Sequence, residues 1–235
     1  MMILCNPHNP IGRVWDRSEL AKIAKLCQKY HVLLVSDEIH GDLVFKGTVY
    51  TPIFDLPDSL IDNTVALISP SKNFNIAVLH AATVVAPNDN VRARINRGIN
   101  NDELAEPNLL SIPATVAAYR NSGEWLDKLK GYLATNREFV AFYLQAHLPE
   151  VKFASENATY LLWLDVSAYT DSAEKLAAFI RVDIGLYLSA GTVYRGNGAY
   201  FIRMNVACPL TTVEEGLRRL TQSLNHWQLQ GGNAS

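Results

Sequence analysis

The chain has 235 residues, 49% of them hydrophobic and 19% charged, with 21 Lys+Arg against 23 Asp+Glu and a formal net charge of −2. That composition excludes an intrinsically disordered chain, and the near-neutral balance argues against a surface made for nucleic acid. No stretch approaches the about 18 consecutive apolar residues of a membrane span, so neither nucleic acid nor membrane is an expected partner.

Met2 to Cys5 is a short apolar run and reads as a buried strand. Domains seldom open inside a core strand, so a segment is expected to be missing upstream. MMILCNPHNP has no basic stretch followed by an apolar one; no signal peptide is read, and a cytoplasmic setting is expected. NPHNPIG at 6–12 is a turn-rich loop in which each Asn precedes a Pro. Asp16 with Glu19 makes a capping signal for a helix over 17–30, whose Leu20, Ile23, Ala24 and Cys27 share one face. VLLVS at 32–36 is a continuous apolar strand of the kind buried on both faces of a parallel sheet.

A strand at 64–68, a polar loop at 69–75, a strand at 81–86 and a helix at 88–100 continue the alternation. Two long helices, 108–121 and 123–147, are separated by the Asn-Ser-Gly breaker at 121–123. The pattern then changes to a strand (159–166), a helix (172–181), a short strand (186–188) and another strand (200–206). A closing helix runs to about residue 230, opened by a second capping box of Thr211 with Glu214. The fold expected is α/β with a mostly parallel sheet over residues 1–145, followed by a smaller α+β unit over 146–235. Cys5, Cys27 and Cys208 are odd in number and far apart, and no Cys/His group has metal-ligand spacing. Reduced thiols and no metal site are expected.

Three places hold residues that an apolar frame does not explain. Asp37 and Glu38, in SDEIH, sit at the mouth of a buried strand, where acids are costly without partners. Lys72, in SPSKNFN, follows the strand TVALI among small hydroxyls. Arg203 lies in the middle of the apolar strand YFIRMNVAC and needs a planar anionic partner, either a structural carboxylate or a substrate carboxylate. Ligands of open α/β sheets bind beyond the carboxyl ends of strands, where the first two places fall.

In order and spacing, N-P-H-N-P-I-G, S-D-E-I-H, S-P-S-K-N-F-N and F-I-R-M-N resemble the pyridoxal-phosphate (PLP) enzymes of fold type I, the class I/II aminotransferase family. The resemblance runs from Asn6 to the last helix. It implies that Lys72 is the lysine that bonds covalently to PLP and moves the substrate proton. It further implies that Asp37 pairs with the pyridine nitrogen and Asn9 hydrogen-bonds the ring's phenolic oxygen. Ser69 and Ser71 match phosphate-binding hydroxyls, and Arg203 matches the arginine that forks onto the substrate carboxylate. The family's enzymes are generally homodimers, so a homodimer is implied as well.

Within the family the details lean one way. His40 stands where typical aminotransferases carry Tyr, and His80 where they often carry the phosphate-holding Arg. With S-P-S-K-x-F-N-I-A and T-Y-L-L-W-L-D at 159–165, these resemble the MalY/PatB cystathionine β-lyases. The resemblance therefore implies α,β-elimination of an amino-acid thioether to thiol, pyruvate and ammonia, with His40 beside the cofactor and Tyr160 on the substrate side. An aminotransferase of the same fold, or a non-catalytic relative, is the competing expectation. Two departures stand out: Val78 replaces a usual Gly and is expected to crowd a turn, and the family's N-terminal region is not in this chain.

Overall fold

The structure is a computed structural model and describes residues 1–104 and 106–232. The chain divides into two compact units, Met1–His8 with Arg13–Lys130 and Asn157–Thr159, and Asn9–Gly12 with Gly131–Glu156 and Tyr160–Ser235.

The first unit is built on a four-stranded sheet of β1 (Met2–Cys5), β2 (Leu34–Asp37), β3 (Thr64–Ile68) and β4 (Thr83–Val85), in that spatial order. The first three strands are parallel and β4 runs antiparallel to β3. β2 begins two residues later than the apolar run suggests, and β4 keeps only the middle of its run. Between β1 and β2 lies α1 (Arg17–Lys29), which buries Leu20, Ala24 and Cys27. The short α2 (Asp58–Ile61), invisible in the pattern of the sequence, seats Ile61 in the same core with Leu4, Leu34 and Ile53.

The start of α1 is set by the residues that announced it. Asp16 Oδ1 accepts from the Ser18 and Glu19 amides at 2.7 and 2.9 Å, and Glu19 Oε2 accepts from the Asp16 amide at 3.1 Å, a complete capping box. Asp16→Ala is expected to lower the melting temperature by about 2–4 °C, read by circular dichroism; an unchanged melt would refute the cap's contribution.

The two acids after VLLVS separate. Glu38 is the buried one: its Oε1 accepts from Ser36 Oγ and from the Ile53 amide, each at 2.8 Å, with the Tyr50 hydroxyl a further partner. Burial pushes its pKa up despite those hydrogen bonds, and burial beside Glu38 pushes the Tyr50 phenol up in turn. With the folded value above the unfolded one, the folded chain holds the extra proton. Stability is then full below the ordinary glutamate value of 4.5 and declines as pH rises through the raised one. Glu38→Gln keeps an acceptor and removes the charge, so it should flatten that decline in urea unfolding followed against pH. Parallel profiles for the two proteins would contradict this.

After β3 comes a single helical turn, α3 (Pro70–Asn73), in place of the expected loop, because Ser69 caps it and Pro70 is pre-set for a first helical position. α4 (Asp89–Asn101), α5 (Ser111–Asn121) and the 25-residue α6 (Gly123–His147) follow. Val78 is 77% exposed and crowds nothing, a correction to the sequence expectation.

The second unit has an antiparallel sheet in the order β5–β6–β8–β7, from β5 (Lys152–Phe153), β6 (Leu161–Asp165), β7 (Ser189–Ala190) and β8 (Phe201–Asn205). Its core joins Leu162, Leu164, Ile202 and Met204 of the sheet to Ile180 of α7 (Ala173–Ile184) and Leu217, Leu220 and Leu224 of α8 (Leu210–Leu229). The expected strand at 186–188 lies slightly later, as β7. The second capping box does not form: α8 starts at Leu210 behind Pro209, with no side-chain cap, which places Thr211 inside the first turn. The compact units part at Gly131, within α6, whereas the sequence reading parts the chain after residue 145. Among the described residues no helix is long and apolar enough to cross a membrane.

Candidate active site

In the first unit the chemistry-bearing residues gather beyond the carboxyl ends of β2 and β3. Register pairs Cys5 with Asp37 and Asp37 with Leu67, so Asp37 closes β2 level with the end of β1 and one residue before the end of β3. Residues alternate along the strand: Ser36 and Glu38 are buried, and Val35 and Asp37 are half-buried. Asp37 Oδ1 accepts from the Ile39 amide at 3.2 Å, and its other oxygen has no hydrogen-bond partner among the described residues. Its negative charge adds to burial in raising the Cys5 thiol pKa. His40 is 4% exposed and sits in the turn that follows, where the Leu43 amide donates to its carbonyl.

On the neighbouring strand end, Ser69, Ser71 and Lys72 are carried by α3. The two hydroxyls lie 2.8 Å apart and both donate toward the Ala81 carbonyl, while Ser69 Oγ also accepts from the Ser71 amide. Phe74 anchors the turn, edge-on to Tyr119 and stacked with Trp125. Asn73 donates to Asp42 Oδ2 at 2.7 Å; its buried Oδ1 has no hydrogen-bond partner among the described residues. Lys72 is half-buried, and its amine makes no hydrogen bond or ion pair among the described residues. His80 is exposed in the left-handed region (φ 50°) and lines a cleft of about 510 Å³ with Pro70, Ala81 and Ser111.

The second unit holds the other three predicted residues. β8 alternates: Ile202 and Met204 enter the core, so Phe201 and Arg203 share the opposite face with Trp163, the cross-strand partner of Arg203. Strand alternation thus resolves the puzzle of an arginine in an apolar run. Its guanidinium donates to Asn9 Oδ1 at 3.4 Å and to Ser189 Oγ at 3.3 Å, with the Tyr194 ring centre 5.4 Å away. These are long contacts to neutral groups, and among the described residues no carboxylate pairs with Arg203. Tyr160 is half-buried; burial raises its phenol pKa and the charge of Arg203 works the other way. Of the two predicted alternatives for Arg203, a structural carboxylate is absent among the described residues.

The structure therefore brings Asp37, His40, Ser69, Ser71 and Lys72 together in one unit, and Asn9, Tyr160 and Arg203 in the other. Asn6, the twin of Asn9 in the motif, is instead a fully buried brace that donates to the Thr51 carbonyl and accepts from the Trp15 amide. Sequence reasoning missed Ser189 and Tyr194; the Gly-rich stretch GTVYRGNG is the one signal that marks the loop of Tyr194.

An amine, a carboxylate and a pair of hydroxyls on adjacent strand ends, with no partner for the first and none for one oxygen of the second among the described residues, form a donor set suited to a phosphorylated pyridine aldehyde. The model of the family described as aminotransferase class I and II matches residues 1–220, and the chain belongs to that family. It is 40% identical to cystathionine beta-lyase PatB of Bacillus subtilis (strain 168), over 96% of this chain and 58% of that relative. It is 32% identical to protein MalY of Escherichia coli (strain K12), over 95% of this chain and 57% of MalY. Among solved structures, cystalysin from Treponema denticola, which contains a pyridoxal 5'-phosphate cofactor, superimposes with a TM-score of 0.91 at 30% identity. That match covers 95% of this chain and 57% of cystalysin. The chain thus spans somewhat more than half the length of the relatives it matches.

Proposed function

We propose that this chain serves a PLP-dependent carbon–sulfur β-lyase that cleaves cystathionine or related cysteine S-conjugates to a thiol, pyruvate and ammonia, with one water consumed. The observation that carries the reading is the half-buried Lys72 amine with no acid partner among the described residues, on the strand end next to that of Asp37, whose second oxygen likewise has no hydrogen-bond partner among them. Likeness to PatB and MalY along nearly the whole chain supports elimination over amino transfer.

Bound through Lys72, PLP supplies an electron sink that renders the α-proton of an amino acid acidic and lets a β-thiolate leave. Freed when the substrate's amino group takes its place on the cofactor, the Lys72 amine would take that proton and hand it to the departing sulfur, a general base turned general acid. Asp37 would keep a proton on the pyridine nitrogen, and Asn9 would donate to the phenolic oxygen. Ser69 and Ser71, whose hydroxyls here donate to the Ala81 carbonyl, would hold the phosphate, and His40 would pack beside the ring. Arg203 forks onto the α-carboxylate, a planar two-bond contact that orients the substrate, and Tyr160 lines that side. Under this reading residues 1–145 belong to the cofactor domain and 146–235 to the small domain, and the protein works as a cytoplasmic homodimer.

The test is direct. The chain supplied with PLP should release pyruvate and thiol from cystathionine. Oxo-acid-dependent amino transfer without pyruvate release would overturn the reading. Light scattering on the eluting protein tests the dimer, which a monomer mass would refute.

A further inference from the structure

The half-buried guanidinium of Arg203 has two long hydrogen bonds to neutral oxygens and no carboxylate among the described residues, yet it must hold one orientation to fork onto a ligand. An aromatic wall also lies against it. The Tyr194 ring centre lies 5.4 Å from the guanidinium carbon, and the ring meets Trp163 edge-on at 5.4 Å and 89°. Trp163 in turn stacks on Phe201 at 5.1 Å and 6°, and both stand on the face of the sheet that carries Arg203.

The loop holding Tyr194 is closed tightly. A Cβ at Gly191 would meet Phe201 O at 2.6 Å and Trp163 Cη2 at 2.7 Å, and one at Gly198 would collide with Gly191 O, so neither tolerates a side chain. Between them Arg195 adopts φ 61°, ψ −159°, a region that is essentially glycine's own, while its side chain is exposed. An exposed arginine has no need of that conformation for itself. The closure of the loop imposes it, and the closure sets the Tyr194 ring against Arg203.

We propose that Tyr194 is a positioning residue for the carboxylate-binding arginine, its π face holding the Arg203 guanidinium in the plane that accepts a carboxylate. The inference rests on the reading of Arg203 as the substrate clamp and adds the device that orients it. Cation–π contact suits the task, because it restrains the guanidinium without using the N–H groups needed by the ligand.

The experiment compares Tyr194→Phe, which keeps the ring, with Tyr194→Met, which keeps apolar bulk and removes the π face. In the ¹⁵N-labelled, PLP-supplied protein, the Arg203 Nε–Hε resonance, assigned by its loss in Arg203→Lys, should be displaced by ring current in the parent and in Tyr194→Phe. It should move to the range of exposed arginines in Tyr194→Met. With S-methyl-L-cysteine as substrate, Tyr194→Met should raise KM about tenfold and leave kcat within about threefold, while Tyr194→Phe leaves both unchanged. A displaced resonance or parental KM in Tyr194→Met, or a Tyr194→Phe variant as impaired as Tyr194→Met, would overturn the proposal. If the parent eliminates no thiol at all, the proposed function fails, and the resonance comparison alone decides the role of Tyr194. Should Tyr194→Met not fold, Tyr194→Leu takes its place in the same measurements.

Discussion

Lys72→Ala is expected to abolish pyruvate release from cystathionine, with a loss of at least about a thousandfold, because one amine both anchors the cofactor and carries the substrate proton. The visible absorbance of lysine-bound PLP should vanish together with activity. Stability should hardly change: the side chain is half-buried and makes no hydrogen bond or ion pair among the described residues, so its removal leaves no buried group stranded. Thermal melts and spectra of the two proteins, taken side by side, separate the chemical effect from a folding one. An alanine variant that keeps a tenth of the activity would remove Lys72 from the mechanism. Exogenous primary amines offer a second reading: partial recovery with methylamine would mark the missing proton carrier rather than a damaged fold.

The second large effect is expected at Arg203. Arg203→Lys retains the positive charge and loses the fork, and it should raise KM for an amino-acid substrate by about a hundredfold with a smaller fall in kcat. The geometry explains the size. Arg203 holds Asn9 and Ser189 at 3.4 and 3.3 Å, and an ammonium on a flexible stem reaches neither the same two oxygens nor a carboxylate in one plane. Because Ile202 and Met204 carry the core side of β8, the substitution leaves the packing of the second unit intact. Steady-state kinetics over a wide substrate range reads this directly, and an unchanged KM would show that Arg203 does not meet the substrate.

How much of this was legible in the sequence varies by residue. β2 and β3 announced themselves as short apolar runs because parallel strands inside a sheet need few polar positions. β1, read from the same kind of run as a buried strand, instead seats Leu4 in the core and leaves Met2 and Ile3 exposed at the sheet edge. α1 announced its first turn through Asp16 and Glu19, since capping is a local interaction between residues three apart. The same local signal failed at Thr211 and Glu214: Pro209 and the packing of Val213 and Leu217 set the start of α8 a step earlier, and the threonine fell inside the helix. Asp37 and Glu38 could not be told apart by position. Only the side to which β2 turned each of them made Glu38 a buried, hydrogen-bonded acid and left an oxygen of Asp37 free. Asn6 and Asn9 are alike in NPHNP, yet one became a brace and the other a neighbour of Arg203.

What the sequence determined by itself is the alternation of strands and helices, the chemical types at the strand ends, and the family those motifs in that order define. Each is written in short-range spacing, which hydrophobic period and capping turn into local structure without reference to distant residues. The tertiary structure alone decided which groups lack partners. That Lys72 has no acid among the described residues, that Arg203 faces Tyr194, Ser189 and Asn9, and that a loop closed against Trp163 and Phe201 imposes the strained conformation of Arg195 depend on contacts beyond the reach of local spacing. Whether a charge is satisfied is a property of everything folded around it, so no run of neighbouring residues can record it.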